Sequence, residues 1–131
     1  MTLYIDTSEY DLIILALIVK TKNKEKEIVR KRFKAGNRTQ SEKLLICIDK
    51  FLNSEKISWQ KIKAIKVKNE GGSFTGLRLG VITANTLAWS RGIEIMATKN
   101  SYFKKNGIKM VKPIYNRKPD IVISKNKYGL D

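Results

Sequence analysis

An α/β fold built on one five-stranded mixed sheet is predicted by three features of the sequence. Two apolar runs, at residues 2–8 and 11–21, and a charged strand-like stretch at 25–34 follow one another with only tight polar turns between them. The pattern then takes on a helical period at residues 39–52 and again after residue 73. Each helical segment is followed by a short run rich in β-branched residues, at 62–68 and 92–97. Strands joined by tight turns pair antiparallel, whereas strands reached through a helix pair parallel by right-handed crossovers.

TLYIDTS (2–8) is a short apolar strand that ends in polar residues, and Ser8 to Asp11 make a tight turn into the longer strand DLIILALIVKT (11–21). After the turn KNK, residues 25–34 form an exposed strand with Ile28 or Val29 and Phe33 toward the core and the cations in water. Thr39 followed by Glu42 fits a capping box, in which each side chain satisfies a free amide of the first helical turn. Leu44, Leu45, Ile46, Cys47, Ile48, Phe51 and Leu52 then cover more than the single stripe that a surface helix needs. IKAIKVK (62–68) is a strand, Ser73 opens the second helix, and GIEIMA (92–97) is the last strand of residues 1–97. This is the ribonuclease H-like arrangement, shared by actin, sugar-kinase and Hsp70 ATPases and by several nucleases. Residues 98–131 carry nine basic residues against Asp120 and Asp131, hold both prolines, and are predicted to be a basic, partly ordered tail.

At 131 residues the chain fits one domain, and an apolar share of 42% in short blocks predicts an ordered core. The longest apolar block, residues 12–20, is too short for a bilayer and lies behind an acidic stretch, so no membrane association is expected. Cys47 is the only cysteine, which excludes an internal disulfide and predicts a cytoplasmic protein with a buried, inert thiol. Without histidine there is neither a histidine base nor a histidine-ligated metal.

Lys+Arg number 27 and Asp+Glu 12, a net charge of +15. A field of that sign draws polyanions, although a lysine-rich composition explains it equally well. Lys31, Arg32 and Lys34, with Lys104, Lys105, Arg117 and Lys118 of the tail, are the candidate nucleic-acid contacts, since Tyr102, Phe103 and Tyr115 near the latter could stack on bases. Lysines on an edge strand also block edge-to-edge pairing, which is the structural reading of residues 20–34.

GGSFTGLRLG (71–80) looks like a phosphate loop, but Leu77 follows Gly76 where a P-loop needs lysine, and the glycines do not fall in a G-x-G-x-x-G frame. Gly76, Gly80, Ala84 and Ala88 instead recur every four residues and form a shallow groove along one side of a helix. That groove either packs on the chain's own sheet or receives a helix of another chain. Two helices with more apolar surface than one sheet face covers favour the second.

Gly72-Ser73-Phe74-Thr75-Gly76-Leu77-Arg78, followed by Gly80, resembles the G-S-F-T-G-L-R signature of the TsaB (YeaZ) family. That family is the non-catalytic partner of TsaD in making threonylcarbamoyladenosine in tRNA. Ile5-Asp6-Thr7-Ser8 resembles the family's opening strand, Gln40-Ser41-Glu42-Lys43-Leu44-Leu45 its H-S-E-x-L-L helix, and Pro113-Ile114-Tyr115-Asn116-Arg117 its P-x-Y-L-R. The resemblance implies an actin-like fold without a working active site or cofactor, and two helices that dimerise or bind TsaD in a helical bundle. By matching motif the contacts fall among Ser41, Leu44, Leu45, Ile48, Ser73, Leu77, Arg78, Gly80, Val81 and Ala84. tRNA held within the complex and a TsaE-like ATPase are the further partners it implies. Glu70 and Gly71 stand where the family has G-P, Gln40 replaces its histidine and Asn116 its leucine, and the family's second half is missing.

Two readings of other classes compete with this one. Asp6, Glu70 and Asp120 occupy roughly the places of the carboxylates that hold two magnesium ions in ribonuclease H-like nucleases. A plain RNA-binding module would use the cations alone.

Overall fold

The structure, a computed structural model, describes residues 1–34, 40–72 and 74–115. β1 (Thr2–Asp6), β2 (Leu12–Thr21) and β3 (Lys24–Lys34) precede α1 (Gln40–Ser54), β4 (Ala64–Val67), α2 (Phe74–Arg91) and β5 (Glu94–Ala97). These five strands form one sheet in the order β3-β2-β1-β4-β5. β1 pairs antiparallel with β2, and β2 with β3. β1–β4 and β4–β5 are parallel, as the change of period predicts. The Thr39–Glu42 capping box, Ser73, Asn116, Arg117, Lys118 and Asp120 lie outside the described residues, as does the side chain of Ser41.

Alternation along the strands sorts the sheet into two faces. Leu3 sits in register with Leu17 and Ile65, and Ile5 with Leu15 and Val67, while Ile65 and Val67 continue to Ile95 and Ala97. All of these are buried in one cluster with Leu44, Ile48 and Phe51 of α1 and Val81, Ala84 and Ala88 of α2. Both helices therefore share a single face of the sheet. The choice left open on β3 is decided by a bulge. Leu17 pairs with Val29 but Ile18 with Glu27, so Ile28 is the extra residue. Val29 and Phe33 pack on the core, whereas Ile28 is exposed.

The opposite face carries Tyr4, in register with Ala16 and Lys66. The Arg30 guanidinium lies 5.4 Å from the Tyr4 ring centre and is gripped by Glu27 at 2.8 Å. Burial pushes the Tyr4 phenol from its ordinary 10.0 up to about 12, the Asp6 carboxylate adding to the rise and Arg30 opposing it. The folded chain thus holds the phenolic proton more tightly than the unfolded one. This contribution to stability is complete below pH 10.0 and is lost as the pH climbs through about 12. Ultraviolet difference titration against Tyr4→Phe is expected to show the Tyr4 phenol ionising at about 12; ionisation at the ordinary 10.0 would refute the burial argument.

Residues 102–111, placed in the tail from the sequence, form a hairpin of β6 (Tyr102–Lys105) and β7 (Ile108–Val111). Its two-residue turn is Asn106-Gly107, both with positive φ (53° and 77°), the requirement of a type I′ hairpin turn. The hairpin is bound to the sheet beside β5, where the Ala97 amide donates to the Tyr102 hydroxyl at 2.8 Å. Asn69, fully buried, ties the approaches together: its Nδ2 donates to the carbonyls of Lys99 and Lys112, both at 2.9 Å, and its Oδ1 accepts from the Lys99 amide at 2.9 Å.

Candidate functional site

The loop from β4 to α2 turns on two left-handed glycines, Gly71 (φ 80°) and Gly72 (φ 73°). It passes so close to the end of β1 that a methyl group on Gly72 would stand 2.0 Å from the Ser8 carbonyl oxygen. One turn into α2, the Gly76 carbonyl accepts a hydrogen bond from Thr7 Oγ1 at 2.5 Å. One turn further, a methyl group on Gly80 would meet the same Oγ1 at 2.2 Å. Gly72 and Gly80 therefore make room for Ser8 and Thr7, and the segments 5–8 and 72–80 form one joint between β1 and α2. Asp6 completes it, its Oδ1 accepting from the Ser8 amide at 2.9 Å and the Ser8 hydroxyl at 2.6 Å.

Of the two fillings that the small-residue groove admits, the chain's own β1 end is the one present. Gly80, Ala84 and Ala88 face inward, and the groove they form is filled by Thr7 and the sheet. Leu44, Ile48, Leu77 and Val81, expected at an interface with another chain, are buried in the chain's own core. The physical reason is that both helices lie on one sheet face and also touch each other, which uses up most of the second apolar side of each. Of the expected contacts, Leu45 (50% exposed) and Arg78 reach the surface.

Other residues join them there. Ile46, Ile82 and Trp89 are exposed by 50%, 57% and 63%. Ile82 and Trp89 stand two helical turns apart, so their common outward face was legible in the sequence from spacing alone. Along α2, Arg78, Ile82, Asn85 and Trp89 line a cleft of about 320 Å³ whose opposite wall is Phe103, Met110 and Pro113. Asn85 fixes that wall at hydrogen-bonding distance. Its Oδ1 accepts from the Val111 amide at 2.8 Å and its Nδ2 donates to the Val111 carbonyl at 3.0 Å, as a neighbouring strand would.

The basic residues do not form one patch. Lys31 shares the helix-covered side of β3 with Val29 and Phe33 and pairs with Glu55 at 3.1 Å and Ser54 at 3.1 Å. Arg32 and Lys34 alternate to the other side. Lys104 and Lys105 belong to the hairpin beside β5, the far edge of the sheet, which itself lies about 19 Å from β3 at ordinary strand spacing.

For hydrolytic chemistry, Asp6 Oδ1 is occupied by the turn, and Glu70 forms a backbone bridge with Ile114. Among the described residues no three Cys, Asp or Glu side chains converge on a common point. Burial pushes the Cys47 thiol up, away from the thiolate a nucleophile requires.

A family model described as TsaD: tRNA N6-adenosine threonylcarbamoyltransferase matches residues 34–113. The curated tRNA threonylcarbamoyladenosine biosynthesis protein TsaB of Bacillus subtilis (strain 168) is 33% identical over 98 residues, 75% of this chain and 40% of that protein. Two solved structures share the fold at 20% identity, both over 75% of this chain. One is a protein from Pseudomonas aeruginosa described as similar to peptidase YEAZ (TM-score 0.60, 42% of that chain), and the other is YeaZ from Pseudomonas aeruginosa (TM-score 0.59, 43%). The chain thus spans about two fifths of the length of these relatives. Among the described residues no helix is long and apolar enough to cross a membrane.

Proposed function

We propose, from the premise that the chain belongs to the TsaD (tRNA N6-adenosine threonylcarbamoyltransferase) family as a TsaB/YeaZ-like member, that it is a non-catalytic subunit of threonylcarbamoyladenosine formation on tRNA. It docks a TsaD-type catalytic partner through the outward faces of α1 and α2. The observation that carries this reading is the apolar surface left on both helices after the core is filled: Leu45 and Ile46 on α1, Ile82 and Trp89 on α2. Ile82 and Trp89, at i and i+7, stand on one outward face of α2 as the anchors of a helical interface do, and Leu45 and Ile46 add apolar surface on α1. The absence of histidine and the raised thiol of Cys47 favour a supporting role over catalysis. Residues 1–97 supply the docking helices, tRNA is met by Lys104 on the hairpin face turned away from Phe103 once the complex has formed, and a TsaE-like ATPase joins the same assembly.

A second copy of the chain competes for the same helices. Light scattering after size exclusion, with and without the TsaD-type subunit, separates the two occupants. Ile82→Glu places a charge at the centre of the surface without touching the core, and is expected to weaken the complex by about a hundredfold while leaving the melting temperature unchanged. Full-strength binding by Ile82→Glu would exclude α2 as the docking helix.

A further inference from the structure

We infer that the cleft between α2 and the β6–β7 hairpin receives an acidic amphipathic helix of the catalytic partner, with the hairpin as a second wall of the docking site. This inference rests on the partner-subunit reading above and adds to it the chemistry of the occupant.

Three observations define that chemistry. The first is shape and polarity. Ile82, Trp89, Phe103 and Met110 line a cleft of about 320 Å³, with Phe103 and Met110 directly paired across the hairpin. The α2 stripe from Arg78 to Trp89 spans about 17 Å at helical rise, enough for about three turns of a second helix. Apolar side chains, among them Val81, Ile82, Met110 and Val111 beside Trp89 and Phe103, make most of the lining, which suits the Leu or Phe anchors of a helix.

The second observation is charge. At the cleft the cations are Arg78 of α2 and Lys105 of the hairpin, with no carboxylate on α2, β6 or β7, whereas Arg91 lies over the Trp59 ring and Lys104 and Lys109 alternate to the Tyr102 face of the hairpin. Lys105 follows Phe103 by two residues and so stands on the same face of the hairpin, at the rim of the cleft. An occupant with Asp or Glu flanking its apolar stripe is attracted at this rim. A second copy of the chain would bring the same cations face to face, and residues 116–131 hold four Lys or Arg against two Asp, so both bear the wrong charge.

The third is attachment. The wall is fixed to the helix by the two bonds between Asn85 and Val111, and its base by Asn69, so the cleft exists before any partner arrives. Preformed walls spare the ordering cost of binding.

The experiment measures binding of the full-length TsaD-type subunit to the whole chain by calorimetry, at low and raised salt, for the wild type and for Lys105→Glu, Phe103→Ser with Met110→Ser, and Ile82→Glu. Lys105→Glu is on an exposed site and keeps the fold; melting curves check the others. The expected result is a complex that weakens with salt, about fivefold with Lys105→Glu and about tenfold or more with the hairpin pair. If the complex responds to Ile82→Glu but neither to the hairpin variants nor to salt, the hairpin is no wall and the inference falls while the partner reading stands. If the wild type binds no TsaD-type subunit, both fall. If single-stranded oligouridylate displaces the partner and its own binding is lost in the hairpin variants, the cleft is an RNA site and the inference is overturned. If Phe103→Ser with Met110→Ser instead abolishes a dimer of the chain, the occupant is a second copy and it is overturned likewise.

Discussion

Alanine at position 72 is expected to lower the free energy of unfolding by about 3 kcal/mol or more. Two effects combine at this residue. Its φ of 73° lies in the left-handed region, where a Cβ meets the following carbonyl. The added methyl group would also stand 2.0 Å from the Ser8 carbonyl oxygen and 2.6 Å from its carbon, so that backbone, and not a movable side chain, must give way. Gly92 supplies the comparison, because its φ is 65° but nothing lies within 4 Å of the place a methyl group would take. Gly92→Ala is expected to cost about 1 kcal/mol, the conformational effect alone. Urea unfolding of both variants measures the difference. Equal losses would mean that the loop does not rest on β1, and that the glycine of the family motif is needed only for its backbone freedom.

Leucine at position 80 is expected to destabilise the fold by about 4 kcal/mol and to leave much of the chain unfolded at room temperature. Gly80→Ala, the smaller change, already places a methyl group 2.2 Å from Thr7 Oγ1. Thr7 can evade it only by turning its hydroxyl away from the Gly76 carbonyl, which gives up a buried hydrogen bond. The loss should therefore be coupled to Thr7. In a double-mutant cycle, Thr7→Ala in the Gly80→Ala background is expected to recover about 1 kcal/mol relative to the sum of the two single changes. Simple additivity would show that the joint between β1 and α2 does not run through this pair. Lost partner binding in Gly80→Leu would report an unfolded helix and says nothing of docking, which is why Ile82→Glu is the informative variant for the interface.

The joint also explains how the family motifs act. Ile5-Asp6-Thr7-Ser8 and Gly72 to Gly80 lie far apart in sequence, and each reads by itself as a fragment of a possible phosphate or metal site. Brought together, they are spent on each other. Asp6 holds the turn at Ser8, Thr7 bonds Gly76, and the glycines admit both residues. What remains outward is the apolar surface of Ile82 and Trp89 and the cationic hairpin.

How much was legible follows from how local each signal is. The directions of the five strands are carried by local signals, namely tight polar turns between the first three, and helices before the last two, the second of which shows in Gly76, Gly80, Ala84 and Ala88 recurring every four residues. The hairpin at 102–111 had a local signal too, Asn106-Gly107 between YFKK and IKMV, but its lysines and weak alternation made it read as tail. The bulge that turns Val29 inward and Ile28 outward had none, because it depends on the register of β2.

By itself the sequence determined the element order, the mixed sheet, the absence of histidine chemistry and the family motifs. Only the tertiary structure decided which surface those elements leave open. Gly76, Gly80, Ala84 and Ala88 specify a groove, but a groove of small residues fits Thr7 of the same chain as well as a foreign helix. Which one fills it depends on the distance between β1 and α2, a non-local quantity set by both helices sharing one sheet face. The cleft arises in the same way, since Asn85 and Val111 meet across 26 residues of chain, and no spacing within either segment states that they do.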